Sequence, residues 1–281
     1  MNIWILGSRP RTLPAAVAPV VVATALALPD WSPTKAFLAL IVSLALQVGV
    51  NYANDYSDGI KGTDSDRIGP IRITASGLAQ PKAVKRAAFI SFFIAAIAGL
   101  QLALTTSLWL IAVGALSIIA AWGYTGGKNP YGYKGLGEIS VFLFFGVVAT
   151  VGSFYVQTEK ITLQVLIASL PMGSLACALL AVNNLRDREK DAVVKKRTLA
   201  VRLGDFRTRL FYSWLLISAH IFALLTLRPG AALTLFAVPV TFSLVKKIMS
   251  GLSGSALIVV LAQTGKLQLL FATLFAVGLA L

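Results

Sequence analysis

One stretch of the chain joins an apolar segment directly to an acidic one: AFLALIVSLALQVGVNYANDYSDGIKGTD, residues 36–64. Its first part, Ala36–Ala53, is almost entirely apolar. At about 1.5 Å per residue, a helix of that length crosses most of a hydrocarbon core that is roughly 30 Å thick. Three aspartates, at positions 55, 58 and 64, follow at once. The stretch therefore predicts a membrane-spanning helix with carboxylates gathered at one end.

The rest of the chain repeats this contrast between long apolar segments and short charged ones. Of the 281 residues, 57% are hydrophobic and 13% are charged, and the mean hydropathy is +0.80. Soluble domains carry about 25% charged residues. We therefore predict an all-α integral membrane protein with one domain, residues 1–281, and nine spans, of which residues 255–281 form either one helix or two pieces. The predicted spans are Leu13–Leu28, Ala36–Ala53, Ala87–Leu104, Leu108–Gly123, Ile139–Val156, Leu163–Val182, Leu210–Leu227, Ala231–Val245 and Ser255–Leu281.

The basic residues fall mainly on one side of the predicted membrane. If the N-terminus is cytoplasmic, 21 of the 25 Lys and Arg residues lie in inner segments and three lie in outer ones. Inner loops are expected to carry this excess, so we predict a cytoplasmic N-terminus. The net charge of +14 is explained by this orientation and by attraction to anionic lipid or a phosphorylated substrate. No nucleic-acid partner is predicted.

Eight of the eleven acidic residues belong to two predicted cytoplasmic loops, residues 54–86 and 183–209. In the second loop Asn183, Asp187 and Asp191 are spaced four apart, which places them on one face of a helix. Asn54 and Asp58 repeat that spacing in the first loop. Like charges at this spacing repel, whereas a hard divalent cation between them reverses the sign of the interaction. The two loops together favour a Mg²⁺ site.

Basic residues share these loops with the carboxylates. Because Mg²⁺ keeps several waters and bridges to phosphate oxygens, and because neighbouring cations neutralise a departing diphosphate, the pattern indicates diphosphate chemistry. Asp, Asn and Gly also cap and turn helices without any catalytic role. Two clusters on one side of the membrane, with a shared Asn-x-x-x-Asp element, favour the metal interpretation. The predicted diphosphate-binding residues are Lys61, Arg67, Arg72, Lys196 and Arg197.

Several ordered motifs give the chain a specific resemblance that covers nearly its whole length. Together they resemble the UbiA superfamily of intramembrane aromatic prenyltransferases, and within it the menaquinone branch. In the superfamily the second Asp of the first motif usually follows four residues after Asp58, where this chain has Gly62, and Asp64 follows two later as in that branch. The motifs are RPRTLPAAVAPV, NDYSDGIKGTD, RIGPIRITASG, YTGGKNPYGYKGLGE, NNLRD, DREKD and TLAVRLG.

The resemblance implies a bundle of nine transmembrane helices around a central cavity that opens to lipid, with the motif loops at the cytoplasmic end. It also implies that the protein lies in a prokaryotic cytoplasmic (inner) membrane. It implies Mg²⁺-dependent transfer of a polyprenyl group from polyprenyl diphosphate to 1,4-dihydroxy-2-naphthoate, with loss of CO₂, to give a demethylmenaquinol. The metal ligands that it implies are Asn54, Asp55, Asp58, Asp64, Asn183, Asp187 and Asp191.

The resemblance also implies catalytic roles for Asp58, Asp64, Asp187, Asp191 and Tyr124. Tyrosine rings near the diphosphate are suited to face an allylic cation or an aromatic acceptor. We therefore expect a substrate-binding set on the N-terminal segment and on the loop after the fourth span. Its members are Arg9, Tyr124, Lys128 and Tyr131.

Two other functions are weighed against this one. Within the superfamily, the donor would be a phytyl chain or the acceptor a different aromatic ring. In another class, an ion-coupled transporter also carries acidic residues in its membrane region. Transporters place such charge near the bilayer midplane, often in broken helices, whereas this chain concentrates it at one face. The sequence leaves the prenyl chain length and the oligomeric state open.

Overall fold

The computed structural model describes residues 2–63, 69 and 71–281, and these residues contain helices and turns but no β-strand. The predicted all-α class is confirmed for them. Short 3₁₀ turns lie at Pro10–Thr12, Tyr131–Lys134 and Pro229–Ala237, and a π-helical segment, Phe142–Val148, joins α6 to α7. The α-helices are α1 Ile3–Ser8, α2 Pro14–Leu26, α3 Pro33–Ile60, α4 Pro81–Thr105, α5 Trp109–Gly123, α6 Gly137–Val141, α7 Ala149–Thr158, α8 Leu163–Val193, α9 Leu199–Leu224, α10 Val238–Met249 and α11 Ala256–Ala280.

Six helical segments of the described chain are long and apolar enough to cross a membrane. Two shorter apolar helices, α2 and α5, accompany them. The chain is therefore an integral membrane protein, although length and composition alone do not establish all nine predicted spans. The C-terminal segment, which the sequence left open, is one continuous helix, α11. The six segments are Pro33–Ile60, Pro81–Thr105, Gly137–Thr158, Leu163–Val193, Pro229–Met249 and Ala256–Ala280.

The structure corrects the boundaries of the two motif loops. Helix α3 continues beyond the apolar run to Ile60, and α8 continues to Val193, so both acidic motifs begin on helices and not in loops. Residues 81–86 and 199–209 likewise belong to α4 and α9. The helices continue because a helix can place polar side chains on the face that borders a cavity and apolar side chains on the face that borders lipid. Helix α3 ends just before Gly62, whose φ of +69° favours glycine.

Helix α8 is the central element of the bundle. It packs against α9, α11, α2 and the π-helical segment, and most of its side chains are buried. Small residues permit this close packing, as is common between helices in membranes. A Cβ atom added at Gly146 would lie 2.5 Å from the Cα atom of Gly173 on α8. The C-terminal end of this central helix carries the second acidic motif, which is thereby held in a fixed position.

Candidate active site

A cavity of about 790 Å³ lies between α3, α5, the α6–α7 segment and α8. Its deeper walls are apolar and include Val42, Leu110, Val113, Phe144 and Phe145. Its other end is polar, because both acidic motifs contribute side chains to it. The structure therefore brings the two predicted clusters to one cavity. The motif residues that line it are Asn54, Asp58, Asn183, Asp187 and Asp191.

The carboxylate of Asp58 is almost completely buried and has three partners. The hydroxyl group of Tyr133 donates to its Oδ1 atom at 2.6 Å. Its Oδ2 atom lies 3.4 Å from Lys196 Nζ and 3.9 Å from Arg72 Nη2. Lys196 Nζ also lies 3.9 Å from Asp191 Oδ1. A single ammonium group thus lies between the carboxylates of the two motifs. Lys196 and Arg72, which the sequence predicts to bind diphosphate, both line the cavity.

The second motif is organised by an arginine that the sequence did not single out. Arg186 donates to both carboxylate oxygens of Asp187, at 2.8 and 2.7 Å, and its Nη2 atom also donates to Asn183 Oδ1 at 2.9 Å. Only 1% of the Arg186 side chain is exposed, so the charge pair is held away from bulk water. This bidentate contact fixes the orientation of Asp187 at the cavity surface.

Residues of the first motif also bond to the loop after α5. Thr125 is buried, and its hydroxyl group donates to Asn54 Oδ1 at 2.7 Å. Lys61 Nζ donates to the Thr125 carbonyl oxygen at 2.7 Å. Desolvation lowers the pKa of Lys61, although the carboxylate of Asp58 opposes that shift. Lys61, a predicted diphosphate ligand, does not line the cavity and instead stabilises the loop beside it.

Asp55, a predicted metal ligand, has a different environment. Its carboxylate is 1% exposed and accepts the backbone N–H groups of Ile73 at 3.1 Å and Thr74 at 2.8 Å. It is absent from the cavity lining, because its oxygens bond to the segment that precedes α4. Asp55 therefore attaches that segment to α3.

Other predicted residues also lie away from the cavity or outside the described chain. The side chains of Lys128 and Arg197 are exposed and do not line the cavity. Arg197 contributes a backbone contact instead, since its N–H group donates to the Tyr133 carbonyl oxygen at 3.0 Å. Asp64 and Arg67 lie outside the described residues, so their predicted roles stay predictions.

Two predicted tyrosines form an aromatic wall of the cavity. The rings of Tyr124 and Tyr131 pack edge to face, with centroids 5.6 Å apart, and both residues line the cavity. Desolvation raises the pKa of each phenol above its ordinary value, which favours the uncharged form of both rings. The Tyr131 hydroxyl group bonds to the Ala120 carbonyl oxygen and to Ser140 Oγ, both at 2.8 Å, and these bonds hold the ring in place.

Arg9 also lines the cavity, close to the first motif. Its backbone is left-handed, with φ of 52°, and its Nη2 atom donates to the Asn51 carbonyl oxygen at 3.2 Å. Asn51 in turn donates to Thr12 Oγ1 and to the Ser8 carbonyl oxygen. Because Asn51 precedes Asn54 by about one helical turn, this cation lies one turn deeper along α3 than the motif.

The donor set suits a hard divalent cation that keeps much of its water. No three His, Cys, Asp or Glu side chains of the described residues are close enough together to form a complete protein cage. The cavity instead gathers carboxylate and amide oxygens from two helices, together with cations. Mg²⁺ commonly takes only one or two carboxylates directly and completes its shell with water and phosphate oxygens. The residues present therefore fit Mg²⁺ bound together with a phosphorylated ligand.

These features are those of an integral membrane enzyme. Its apolar cavity ends in buried carboxylates and cations that are held in fixed orientations. Residues 16–250 match the UbiA prenyltransferase family, and the chain belongs to that family.

Several curated relatives carry names that specify an activity. The 1,4-dihydroxy-2-naphthoate octaprenyltransferase of Mycobacterium tuberculosis is 49% identical over 283 residues, which cover 99% of this chain and 96% of the relative. The enzyme of the same name from Escherichia coli is 38% identical, with 99% of this chain and 95% of the relative covered. The similarity thus extends over the full length of the chain.

Solved structures show the same fold at much lower sequence identity. A UbiA homolog from Archaeoglobus fulgidus bound to GPP and Mg²⁺ superimposes with a TM-score of 0.70 at 13% identity and covers 100% of both chains. A digeranylgeranylglyceryl phosphate synthase superimposes with a TM-score of 0.61 at 16% identity, covering 99% of this chain and 97% of that one. The helical architecture is therefore shared well beyond the range of close sequence similarity.

Proposed function

We propose that this chain transfers a polyprenyl group from polyprenyl diphosphate to 1,4-dihydroxy-2-naphthoate. In the reaction, the bond between the allylic carbon and the diphosphate oxygen breaks, a carbon–carbon bond to the naphthoate ring forms, and the carboxylate leaves as CO₂. The product is a demethylmenaquinol. The observation that carries this proposal is that α3 and α8 place both acidic motifs at the mouth of one apolar cavity. The relatives that are 38–49% identical bear the name of this activity.

The carboxylates and amides at the cavity mouth would hold Mg²⁺ on the diphosphate head group. When bound, Mg²⁺ supplies charge neutralisation for the departing diphosphate. We assign its binding to the motif oxygens that line the cavity and retain Asp64 as a predicted ligand. Asp55 is assigned to holding the segment before α4, because both of its oxygens accept backbone N–H groups. The assigned residues are Asn54, Asp58, Asn183, Asp187 and Asp191.

The remaining cavity residues perform tasks suited to their chemistry. Lys196 and Arg72 stand beside Asp58 and donate to diphosphate oxygens, which lowers the cost of separating charge. The apolar walls exclude water that would otherwise quench an allylic cation. Tyr124 and Tyr131 present uncharged rings to the cation and to the naphthoate ring. The cavity thus binds the charged head at its mouth and the prenyl chain in its apolar part.

We propose the following membrane arrangement. All nine predicted segments lie mainly on helical residues, and we infer that each one crosses the bilayer. We infer that the membrane is the inner membrane, and the excess of Lys and Arg supports a cytoplasmic position for the N-terminus and the cavity mouth. One domain, residues 1–281, contains the whole site. In this orientation the water-soluble acceptor enters from the cytoplasm, and the prenyl donor enters with its tail among the lipids.

The proposal is tested with detergent-purified protein, Mg²⁺, 1,4-dihydroxy-2-naphthoate and a series of prenyl diphosphates that includes the phytyl donor. Mass spectrometry of the lipid extract is expected to detect a prenylated product that has lost CO₂. EDTA should abolish the product, and added Mg²⁺ should restore it. An adduct that retains the carboxylate would contradict the decarboxylation, and folded protein that forms no adduct with any donor would contradict the proposed reaction.

Replacement of Arg9 by Gln is expected to raise the KM for the naphthoate acceptor roughly 10- to 100-fold, with little change in the KM for the donor. We infer that the guanidinium group, one turn deeper than the motif, binds the acceptor carboxylate. A hydrogen bond to a charged group contributes about 1.5–3 kcal/mol, which corresponds to that range. Initial rates at varied acceptor and donor concentrations measure both constants.

The matched control for Arg9 is an acceptor analogue. The compound 1,4-dihydroxynaphthalene has the same ring and hydroxyl groups but lacks the carboxylate. Its inhibition constant should be the same for the wild-type protein and for Arg9→Gln. If Arg9→Gln weakened the binding of the analogue and of the acceptor equally, Arg9 would shape the cavity and would not bind the acceptor carboxylate.

A further inference from the structure

Tyr133 contacts the candidate site without lining the cavity. It lies on the short 3₁₀ turn Tyr131–Lys134, between the helices that carry the two motifs. Its hydroxyl group donates to Asp58 Oδ1 at 2.6 Å across 75 residues of sequence. That bond uses one oxygen of the carboxylate and leaves Oδ2 beside the cations Lys196 and Arg72. The Asp58 side chain is therefore oriented by a neutral donor on one side and by charge on the other.

The ring of Tyr133 has a second set of partners. Lys61 Nζ and Lys196 Nζ each lie 5.0 Å from the ring centroid, within the range of a cation–π contact. Lys61 belongs to the end of the first motif, and Lys196 follows the second. The same side chain thus orients a carboxylate through its hydroxyl group and two cations through its ring.

The backbone around Tyr133 is fixed against the segment that follows α8. The N–H group of Arg197 donates to the Tyr133 carbonyl oxygen at 3.0 Å, and Arg202 Nη2 donates to the Lys134 carbonyl oxygen at 2.7 Å. Gly135 adopts φ of +73°, and a Cβ atom there would lie 2.9 Å from Arg202 Nε. The positive φ, which other residues rarely adopt, explains why glycine follows the turn. The phenol is consequently held at a defined position relative to both motifs.

The geometry points to Tyr133 as a positioning residue that orients Asp58 for metal binding, holds Lys196 beside the diphosphate and keeps Lys61 on the loop that adjoins the cavity. This inference rests on the proposed function, since it takes Asp58 as a ligand of Mg²⁺. Partners that orient a metal ligand through a hydrogen bond are worth about 10- to 100-fold in metal affinity or activity. Tyr133 acts through Asp58 and the lysines and does not contact the reacting atoms.

Two substitutions separate the hydroxyl group from the ring. Tyr133→Phe removes the bond to Asp58 and keeps the cation–π partner, whereas Tyr133→Leu removes both. The first measurement is titration of Mn²⁺ into the purified full-length protein in the presence of inorganic diphosphate, with free Mn²⁺ followed by electron paramagnetic resonance. Tyr133→Phe is expected to weaken Mn²⁺ binding about 10-fold with an unchanged thermal unfolding midpoint. Tyr133→Leu is expected to raise the KM for the prenyl diphosphate further than Tyr133→Phe does.

The matched control is Tyr155→Phe, which also removes one tyrosine hydroxyl group. That group accepts from Trp109 Nε1 at 3.2 Å near the opposite end of the bundle and should leave Mn²⁺ binding unchanged. Wild-type Mn²⁺ affinity in Tyr133→Phe would overturn the orienting role, and equal donor KM values for the Phe and Leu variants would overturn the role of the ring. The titration needs neither acceptor nor turnover. If the wild-type protein binds Mn²⁺ but forms no prenylated naphthoate, the proposed reaction fails while the assignment of Tyr133 is still tested.

Discussion

The substitution Asp58→Asn is expected to lower prenyl-transfer turnover by more than about 100-fold. Groups that merely orient a metal ligand already contribute about 10- to 100-fold, so loss of the ligand charge itself costs more. The substitution keeps the shape of the side chain and an oxygen that can accept from Tyr133. It removes the negative charge that lies 3.4 Å from Lys196 and 3.9 Å from Arg72. The two cations then face no counter-charge at position 58, and the affinity for Mg²⁺ falls.

Turnover of Asp58→Asn is measured with saturating donor and acceptor over a range of Mg²⁺ concentrations. A partial recovery at high Mg²⁺ is expected, because mass action offsets weaker binding. Asp30→Asn is the control, since Asp30 is exposed in the loop between α2 and α3 and lies outside the cavity. Near-normal turnover of Asp58→Asn at ordinary Mg²⁺ concentration would remove Asp58 from the metal site.

Hydropathy located the helices well but did not locate their ends. The apolar run that begins at Ala36 stops at Ala53, whereas α3 continues to Ile60, and the run from Leu163 stops at Val182, whereas α8 continues to Val193. Apolar composition reports how much of a helix is in contact with lipid or core. It does not report where the backbone hydrogen bonds end. The motif residues were therefore assigned to segments beyond the predicted spans, whereas their four-residue spacing correctly indicated a helical face.

The same spacing explains which site residues the sequence could identify. Asn54 and Asp58 are four apart and both line the cavity, whereas Asp55 lies about 100° around the helix from Asn54. Its oxygens bond to Ile73 and Thr74, 18 and 19 residues further along the chain. A contact of that kind depends on how a loop folds back, and no local periodicity encodes it.

The contacts of two organising residues were not predicted, for related reasons. Tyr133 reaches Asp58 across 75 residues, and its position depends on a turn that packs against the segment after α8. Arg186 is adjacent to Asp187, so a signal was present in NNLRD, but an arginine beside an aspartate is more often a surface pair. The burial of its side chain, at 1% exposed, distinguishes this pair from a surface pair, and both residues line the cavity.

Asp187→Asn is expected to lower turnover by more than about 100-fold, for the same reason as the change at Asp58. Asparagine retains one acceptor for Arg186 but leaves that buried guanidinium group with a neutral partner. Some loss of thermal stability is therefore expected beside the loss of activity. Glu189→Gln is the matched control, because Glu189 is two residues away on α8 and its side chain is 87% exposed. Turnover of the control should equal that of the wild-type protein.

The combination of both changes tests whether the two motifs act on one head group. If Asp58 and Asp187 serve the same Mg²⁺–diphosphate assembly, the first substitution already removes most of what the second could remove. The double variant should then lose much less activity than the product of the two single losses, as happens when residues act as a unit. Independent sites would give losses that multiply. Multiplicative losses, with normal Glu189→Gln and folded single variants, would mean that α3 and α8 bring their carboxylates to one cavity without sharing a ligand in it.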